Sequence, residues 1–292
     1  MEHKWLEDFL ILAETRSFSR AAELRHVTQS AFSRRIQALE LWLGAPLLDR
    51  SSYPVALTPE GRHFRETAEE VVRLLNAQRH GPDSKPLPVI TTAALHTLSI
   101  TFFPQWLAGI RDRIGPCTSK VMSDNFLICI QTLIEGGYDF LMTYAHPSVP
   151  IPLDPARFVH LVIGQDSLLP VSVPNLKAPL LDGRLPLLQY SRGSFLGLIT
   201  AQAQRQEGAP ATYLAHTNEN SMAEALKYMV LAGHGMAWLP RSLIVDEVAS
   251  GRLIVVGPEL QMEIRLYRSA ERSRRFLDQV WQAAAQGYAK PA

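Results

Sequence analysis

Six side chains between residues 29 and 37 have the types and spacing of a base-reading surface: Gln29, Ser30, Ser33, Arg34, Arg35 and Gln37. Glutamine can make paired hydrogen bonds to adenine and arginine to guanine, and serine can reach a base edge or a phosphate. Carried on the first turns of one helix, such groups enter one groove of a duplex together. Arg20 and Arg25 upstream, and Arg50 downstream, would then neutralise phosphates. The plain alternative is that Arg34 and Arg35 merely solvate a helix face, as paired surface charges usually do. The elements around them weigh against it.

Trp5, Phe9, Leu12 and Ala13 recur at three- and four-residue spacing and give one apolar helix face. Ser19 has the chemistry to cap a short helix holding Ala21, Ala22 and Leu24, and the chain then turns near His26-Val27. Thr28 offers a second cap; Ala31, Phe32, Ile36, Leu39 and Leu43 form the next apolar face, which Gly44 ends. Short helices with a tight turn between the second and third predict a helix-turn-helix. The stretch from Leu47 to Leu57, with Tyr53-Pro54 at its tip, suits a hairpin or wing. Thr58-Pro59-Glu60 supplies a cap, a proline for the first helical position and an early acid, opening a helix to about Arg79. Its stripe of Phe64, Ala68, Val71, Val72 and Leu75 has no obvious partner in its own domain, which predicts pairing with a second copy of itself. Gly81-Pro82-Asp83-Ser84-Lys85-Pro86 reads as a hinge.

Charge fits this division. The 292-residue chain carries 29 Lys and Arg against 28 Asp and Glu, which argues against a protein that coats nucleic acid or lies on an anionic membrane. From Arg16 to Arg35, however, five arginines face one acid, Glu23. The absence of about 18 consecutive apolar residues excludes a membrane span, and the amphipathic start predicts no signal peptide. Two cysteines, Cys117 and Cys129, cannot staple a secreted scaffold of this size, so a cytoplasmic protein is expected.

Beyond Leu87 the pattern alternates. Strands are expected at Pro88–Thr92, Ser119–Met122, Phe140–Tyr144, Phe158–Ile163, Leu168–Val173, Leu187–Gln189, Ala211–Ala215, Met236–Leu239, Leu253–Val256 and Ile264–Arg268. Helices are expected at Leu98–Arg113, Phe126–Gly136, Ser221–Ala232 and Glu271–Gly287. That alternation predicts an α/β domain with mainly parallel sheets, in one body or in two lobes around a cleft.

Residues 4–65 resemble the N-terminal module of LysR-type transcriptional regulators. The resemblance rests on Phe18-Ser19-Arg20-Ala21-Ala22-Glu23-Leu24 and on the unbroken run from Val27 through Glu40. It continues through Leu43-Gly44-Ala45-Pro46-Leu47-Leu48-Asp49-Arg50 and Leu57-Thr58-Pro59-Glu60-Gly61. It implies an α+β multidomain protein: a winged helix-turn-helix over 1–58, a linker and dimerisation helix over 59–80, a hinge over 81–86 and a two-lobed α/β effector domain over 87–292, like periplasmic solute-binding proteins. The first lobe would take about 87–157 and 263–292, the second about 158–262. Family wings often carry several basic residues after the position of Arg50. Here Ser51-Ser52-Tyr53-Pro54-Val55 stands instead, which implies either weaker wing contact with phosphate or contact through Arg50 alone.

In that family inducers sit between the lobes. Carried onto this chain, the resemblance implies an effector site from His96, Thr97 and Ser99 at one helix start, Thr143 at a strand end, Ser191 and Arg192 from the second lobe, and Asn220 and Ser221 at another helix start. A guanidinium beside hydroxyls suits a carboxylate, sulfonate or other small anion. Plainer roles compete: His96 as a structural histidine, Thr97 or Ser99 as caps, Arg192 as half of an ion pair. Gln189 to Ser194, Asn220-Ser221-Met222 and Gly235 to Pro240 are similar to the subgroup containing the hypochlorite-responsive LysR regulator, which singles out Met222 for oxidation.

The partners implied are double-stranded DNA, a small anionic effector or oxidant, and further copies of the chain, as a homodimer through the linker helix and a homotetramer through the effector domains. Cys117 and Cys129 read as unlinked packed thiols. No metal-ligand spacing, phosphate loop or dinucleotide glycine pattern occurs, so neither a metal nor a cofactor is expected. The rival reading is an enzyme acting on a small anion in the α/β part, but no nucleophile–base set emerges for it.

Overall fold

The computed structural model describes residues 2–51, 54–79, 87–219, 222–272 and 274–287. They divide into two units, 1–87 with 135–137, and 88–134 with 138–292. The expected hinge at 81–86 lies outside the described residues, as do Ser52 and Tyr53 at the wing tip.

In the first unit α1 (His3–Thr15), α2 (Phe18–Leu24) and α3 (Gln29–Leu43) close around Leu6, Phe9, Leu12, Ala21, Ala22, Phe32, Ile36 and Leu39. The Thr28 hydroxyl accepts the Ala31 N–H at 3.2 Å, and Gly44 ends α3 at φ 72°, both as the sequence indicates. The cap of α2 is Ser17 rather than Ser19, because the helix begins two residues earlier, at Phe18, whose ring packs on the core. Strands β1 (Leu48–Asp49) and β2 (Ala56–Leu57) form the antiparallel wing, pairing Leu48 with Leu57.

Helix α4 (Pro59–Arg79) starts under a Thr58 cap that accepts the Gly61 N–H at 2.9 Å. Its stripe does have a partner in its own unit, contrary to expectation. Phe64 lies 5.4 Å from the Phe9 ring, Ala68 is fully buried, and Val71 and Val72 pack on the same cluster. Only Leu75 of the stripe stands clear, 43% exposed. A side chain at Gly61 would run into the Leu47 carbonyl oxygen. Gly61→Ala is therefore expected to destabilise this unit by about 1–3 kcal/mol. Urea denaturation of the full chain checks this, and an unchanged first transition would mean that the turn relaxes freely.

The second unit holds a seven-stranded mixed sheet and a separate two-stranded parallel one, rather than mainly parallel sheets. Parallel pairs join β3 (Val89–Leu95) to β4 (Thr118–Asp124) and to β5 (Phe140–Ala145). Two long strands then run antiparallel to their neighbours: β6 (Phe158–Ser172) and β11 (Leu260–Ser269). Between them in sequence come β7 (Leu185–Tyr190) parallel to β8 (Thr212–Asn218), then β9 (Ala237–Pro240) and β10 (Ile254–Val255), both antiparallel to β6. Strand β6 pairs with β11 from Phe158 to Leu168 and with β9 and β10 from Leu168 to Ser172, so it joins two sets of strands.

Expected strands at Phe158–Ile163 and Leu168–Val173 are thus one strand. The polar stretch between them looks like a turn, but Asp166 and Ser167 are buried and bonded, so the chain stays extended. The expected helix Leu98–Arg113 is two, α5 (His96–Thr101) and α6 (Phe103–Ile114), because Pro104 has no N–H to continue the ladder. Helices α7 (Phe126–Ile134), α9 (Ala223–Leu231) and α11 (Arg275–Gly287) fall within the expected spans. Two others were not foreseen: α8 (Phe195–Ala203), apolar almost all round and therefore without periodic contrast, and α10 (Arg241–Ala249), which starts directly after a strand. No helix among the described residues is long and apolar enough to cross a membrane.

Candidate functional site

On α3 the apolar face Phe32, Ile36 and Leu39 is buried, and this fixes what the opposite face presents. Gln29, Ser30, Arg34 and Gln37 are exposed there, with Ser33 half-buried beside them. Arg34 has no side-chain partner among the described residues, and the same holds for Arg20 on α2. This cluster of amides, hydroxyls and one open guanidinium has the donors and acceptors for base edges.

The other arginines are engaged within their own unit. Arg25 donates from Nε to Asp8 at 2.6 Å and from Nη2 to Glu7 at 2.7 Å. Arg35 donates from Nη1 to the second Asp8 oxygen at 3.1 Å. Arg50 pairs with Glu40 at 2.8 Å and stands over the Phe18 ring. The structure therefore brings Gln29, Ser30, Ser33, Arg34 and Gln37 together, and turns Arg25, Arg35 and Arg50 toward acids of neighbouring segments.

In the second unit a pocket of about 20 Å³ is lined by the starts of three helices. Leu95, His96 and Thr97 stand where β3 passes into α5, Asp124, Asn125 and Phe126 where β4 passes into α7, and Ser194, Phe195 and Leu196 at the α8 start, with Tyr144 at the back. That volume suits one water-sized group as it stands. Helix α5 lacks a side-chain cap, whereas Ser194 caps α8 by accepting the Gly197 N–H at 3.0 Å and donating to the Ser191 carbonyl. On α7 the Asp124 carboxylate accepts the Asn125 N–H at 2.7 Å. The side-chain oxygen of Asn125 is buried without a hydrogen-bond partner among the described residues.

Of the effector residues expected from the sequence, His96 and Thr97 line this pocket. Ser99 does not; its hydroxyl donates to the His96 carbonyl at 2.7 Å within α5. Thr143 is buried and donates to the Tyr144 carbonyl at 3.1 Å, away from the lining. Ser191 and Arg192 precede the α8 cap, and Arg192 is exposed outside the lining. Asn220 and Ser221 lie outside the described residues. Met222 is half-buried at the start of α9, where its carbonyl accepts from Asn218 Nδ2 at 3.2 Å.

Sequence reasoning missed Asp124, Asn125, Ser194 and the aromatic wall. Asp124-Asn125 and Ser194 each stand before an apolar helix, which was their signal as helix starts. Phe195 packs between Phe126, at 5.4 Å and edge-on, and Tyr144, at 6.1 Å. The Tyr144 hydroxyl donates to Asp166 Oδ2 at 3.1 Å, and Ser242 Oγ donates to the same oxygen at 2.6 Å. Burial and the neighbouring Asp166 charge hold the Tyr144 phenol well above its ordinary range. Both cysteines are free and buried, and burial pushes the Cys129 thiol up to about 12, so it is a poor nucleophile.

Residues 3–62 match the family model described as bacterial regulatory helix-turn-helix protein, lysR family, and residues 85–288 match the LysR substrate binding domain. The HTH-type transcriptional regulator YjiE of Escherichia coli (strain K12) is 32% identical over 281 residues, covering 91% of this chain and 88% of that protein. Vibrio fischeri DarR, solved in complex with DNA, is 32% identical with a TM-score of 0.55, covering 98% of both chains. Full-length HypT from Salmonella typhimurium, a hypochlorite-specific LysR-type regulator, is 30% identical with a TM-score of 0.56, also covering 98% of both. Its bromide ion-bound regulatory domain is 25% identical with a TM-score of 0.57, covering 70% of this chain and 98% of that one.

Proposed function

The chain belongs to the lysR family of bacterial helix-turn-helix proteins and is a DNA-binding transcriptional regulator; on that premise we propose that Gln29, Ser30, Ser33, Arg34 and Gln37 read an operator and that a small anion in the α5–α7–α8 pocket is the signal. One observation carries the second half: three helix starts converge on a pocket of about 20 Å³. Helix N-termini present unbonded N–H groups and positive partial charge, and α7 and α8 are each long enough to supply both. Asp124 makes part of the α7 corner acceptor-rich, so the anionic end belongs against the α8 start, with the Asn125 amide able to donate from the α7 side. Arg192, exposed outside the lining, supports the reading less than the sequence suggested. The halide held by the HypT regulatory domain has the size this pocket takes.

On the same reading the chain divides into a linker helix over 59–80 and lobes near 87–157 with 263–292 and 158–262, the division that the family likeness implies. The cytoplasm is the compartment where such a regulator meets DNA. Assembly as a homodimer through α4, and as a tetramer through the effector halves, rests on the exposed Leu75 and on family likeness. A catalytic role is disfavoured, because the Ser194 hydroxyl in the pocket is committed to its helix cap.

Oxidation at Met222 is the second reading, favoured by a half-buried thioether beside the α9 start, where a sulfoxide would insert a polar group into packing. One experiment addresses both. Bromide is exchanged for gluconate at constant ionic strength while operator affinity is followed, and a parallel series receives hypochlorite with peptide mass spectrometry. A saturable bromide effect supports the anion reading, and loss of response in Met222→Leu supports the oxidant reading. Operator binding indifferent to bromide removes the first; a hypochlorite response with Met222 unmodified removes the second.

A further inference from the structure

Asp8 has 0% exposure, yet it is a carboxylate in the apolar core of the first unit. A buried charge is tolerated there only when it is paired with good geometry. Both of its oxygens are used, and by different elements. Oδ1 takes Nε of Arg25, the C-cap residue of α2, at 2.6 Å, and Oδ2 takes Nη1 of Arg35, in the middle of α3, at 3.1 Å. Glu7 holds the remaining arm of Arg25. One side chain of α1 is therefore bonded to the end of α2 and to the reading helix.

We propose that Asp8 is a positioning residue for base recognition, and that Arg35 acts through Asp8 and not on a phosphate. Apolar contacts through Phe32, Ile36 and Leu39 hold α3 against the core, but such contacts are non-directional and permit small slides and rolls. A guanidinium–carboxylate bond is directional, and it fixes the rotation of α3 about its own axis. Arg35 is the immediate neighbour of Arg34, about 100° round the helix. Holding Arg35 on Asp8 holds Arg34 and Gln37 outward. Bidentate contacts to base edges need that phase, whereas attraction to phosphates needs only charge.

These two roles leave different signatures. The test measures wild-type, Asp8→Asn, Arg35→Gln and the double variant, as full-length proteins checked for helix content by circular dichroism. The probes are the best duplex from a binding selection with wild-type protein, and a random duplex, each across a salt series. Asp8→Asn is expected to lower the ratio of selected to random affinity about tenfold. Affinity for the random duplex should hold or rise, because two arginines lose their acid. Arg35→Gln should lower the same ratio with an unchanged salt slope, and the double variant should be no worse than the poorer single one. The proposal is overturned if Arg35→Gln weakens both duplexes equally and reduces the salt slope by about one, the mark of a lost phosphate contact. An unchanged ratio in a folded Asp8→Asn protein overturns it too. Should Asp8→Asn not fold, Arg35→Gln decides alone.

Discussion

Arg34→Ala is expected to lose about 1–3 kcal/mol of operator binding, roughly five- to 150-fold in affinity. The size follows from where the side chain stands. Arg34 is exposed and has no side-chain partner among the described residues, so its removal costs nothing inside the protein and everything it gives to DNA. Its neighbours on the face, Gln29 and Gln37, are exposed, and the apolar face opposite is closed on the core. Ser33→Ala should cost less, since a single half-buried hydroxyl makes one neutral bond at most in that position. Footprinting and affinity on the selected duplex, with a random duplex for comparison, separate base reading from general attraction. If Arg34→Ala leaves pattern and affinity unchanged, α3 is not the reading element.

Much of this surface was legible in the residues because local rules govern it. Thr28 and Gly44 mark the ends of α3 by cap chemistry and by a left-handed backbone, neither of which depends on tertiary structure. The two-residue error at α2 arose because Ser17 and Ser19 have the same capping chemistry, and only packing of Phe18 selects between them. What periodicity could not convey was partnership. The stripe of α4 looked unpartnered because its partner, Phe9, is some fifty residues away in sequence. Arg35 looked like part of the reading face because nothing in its spacing reveals a buried acid on α1.

The effector half was less legible for a related reason. Its pocket is assembled from the starts of three helices that are remote in sequence, and one of them, α8, has no periodic contrast to announce it. Residues carried over by resemblance landed partly within the lining, at His96 and Thr97, and partly outside it, at Ser99, Thr143 and Arg192. Asp166 gave no signal at all. In a sequence reading, a Gly-Gln-Asp-Ser stretch is a turn; only the fold supplies the donors that let it run through a sheet.

Those donors make Asp166→Leu the second variant with a large expected effect, a loss of about 3–5 kcal/mol of stability. Asp166 is 8% exposed, and its carboxylate collects the Tyr144 hydroxyl, the Ser242 hydroxyl and the backbone N–H groups of Ser167 and Ser242. Leucine would leave the buried Tyr144 hydroxyl and Ser167 N–H with no acceptor and strip two bonds from the exposed Ser242, and each buried group so orphaned costs about 1–3 kcal/mol unless water reaches it. Tyr144→Phe removes a single donor and should cost only about 1 kcal/mol. The contrast matters because of what the carboxylate joins. Tyr144 lies on β5, while Ser242 begins α10, which packs on β9, and the Ser242 hydroxyl also meets Thr101 at the end of α5 at 3.2 Å. Asp166 thus ties β5, β6 and α10 together, behind the same tyrosine ring that forms the back of the pocket. At about 2–4 °C per kcal/mol, calorimetry of the full chain should show the effector-half transition falling by at least 6 °C in Asp166→Leu and by only a few degrees in Tyr144→Phe. Equal small shifts in the two variants would mean that water takes over the orphaned donors, and that packing of Phe195 between Phe126 and Tyr144, not this carboxylate, stabilises this part of the unit.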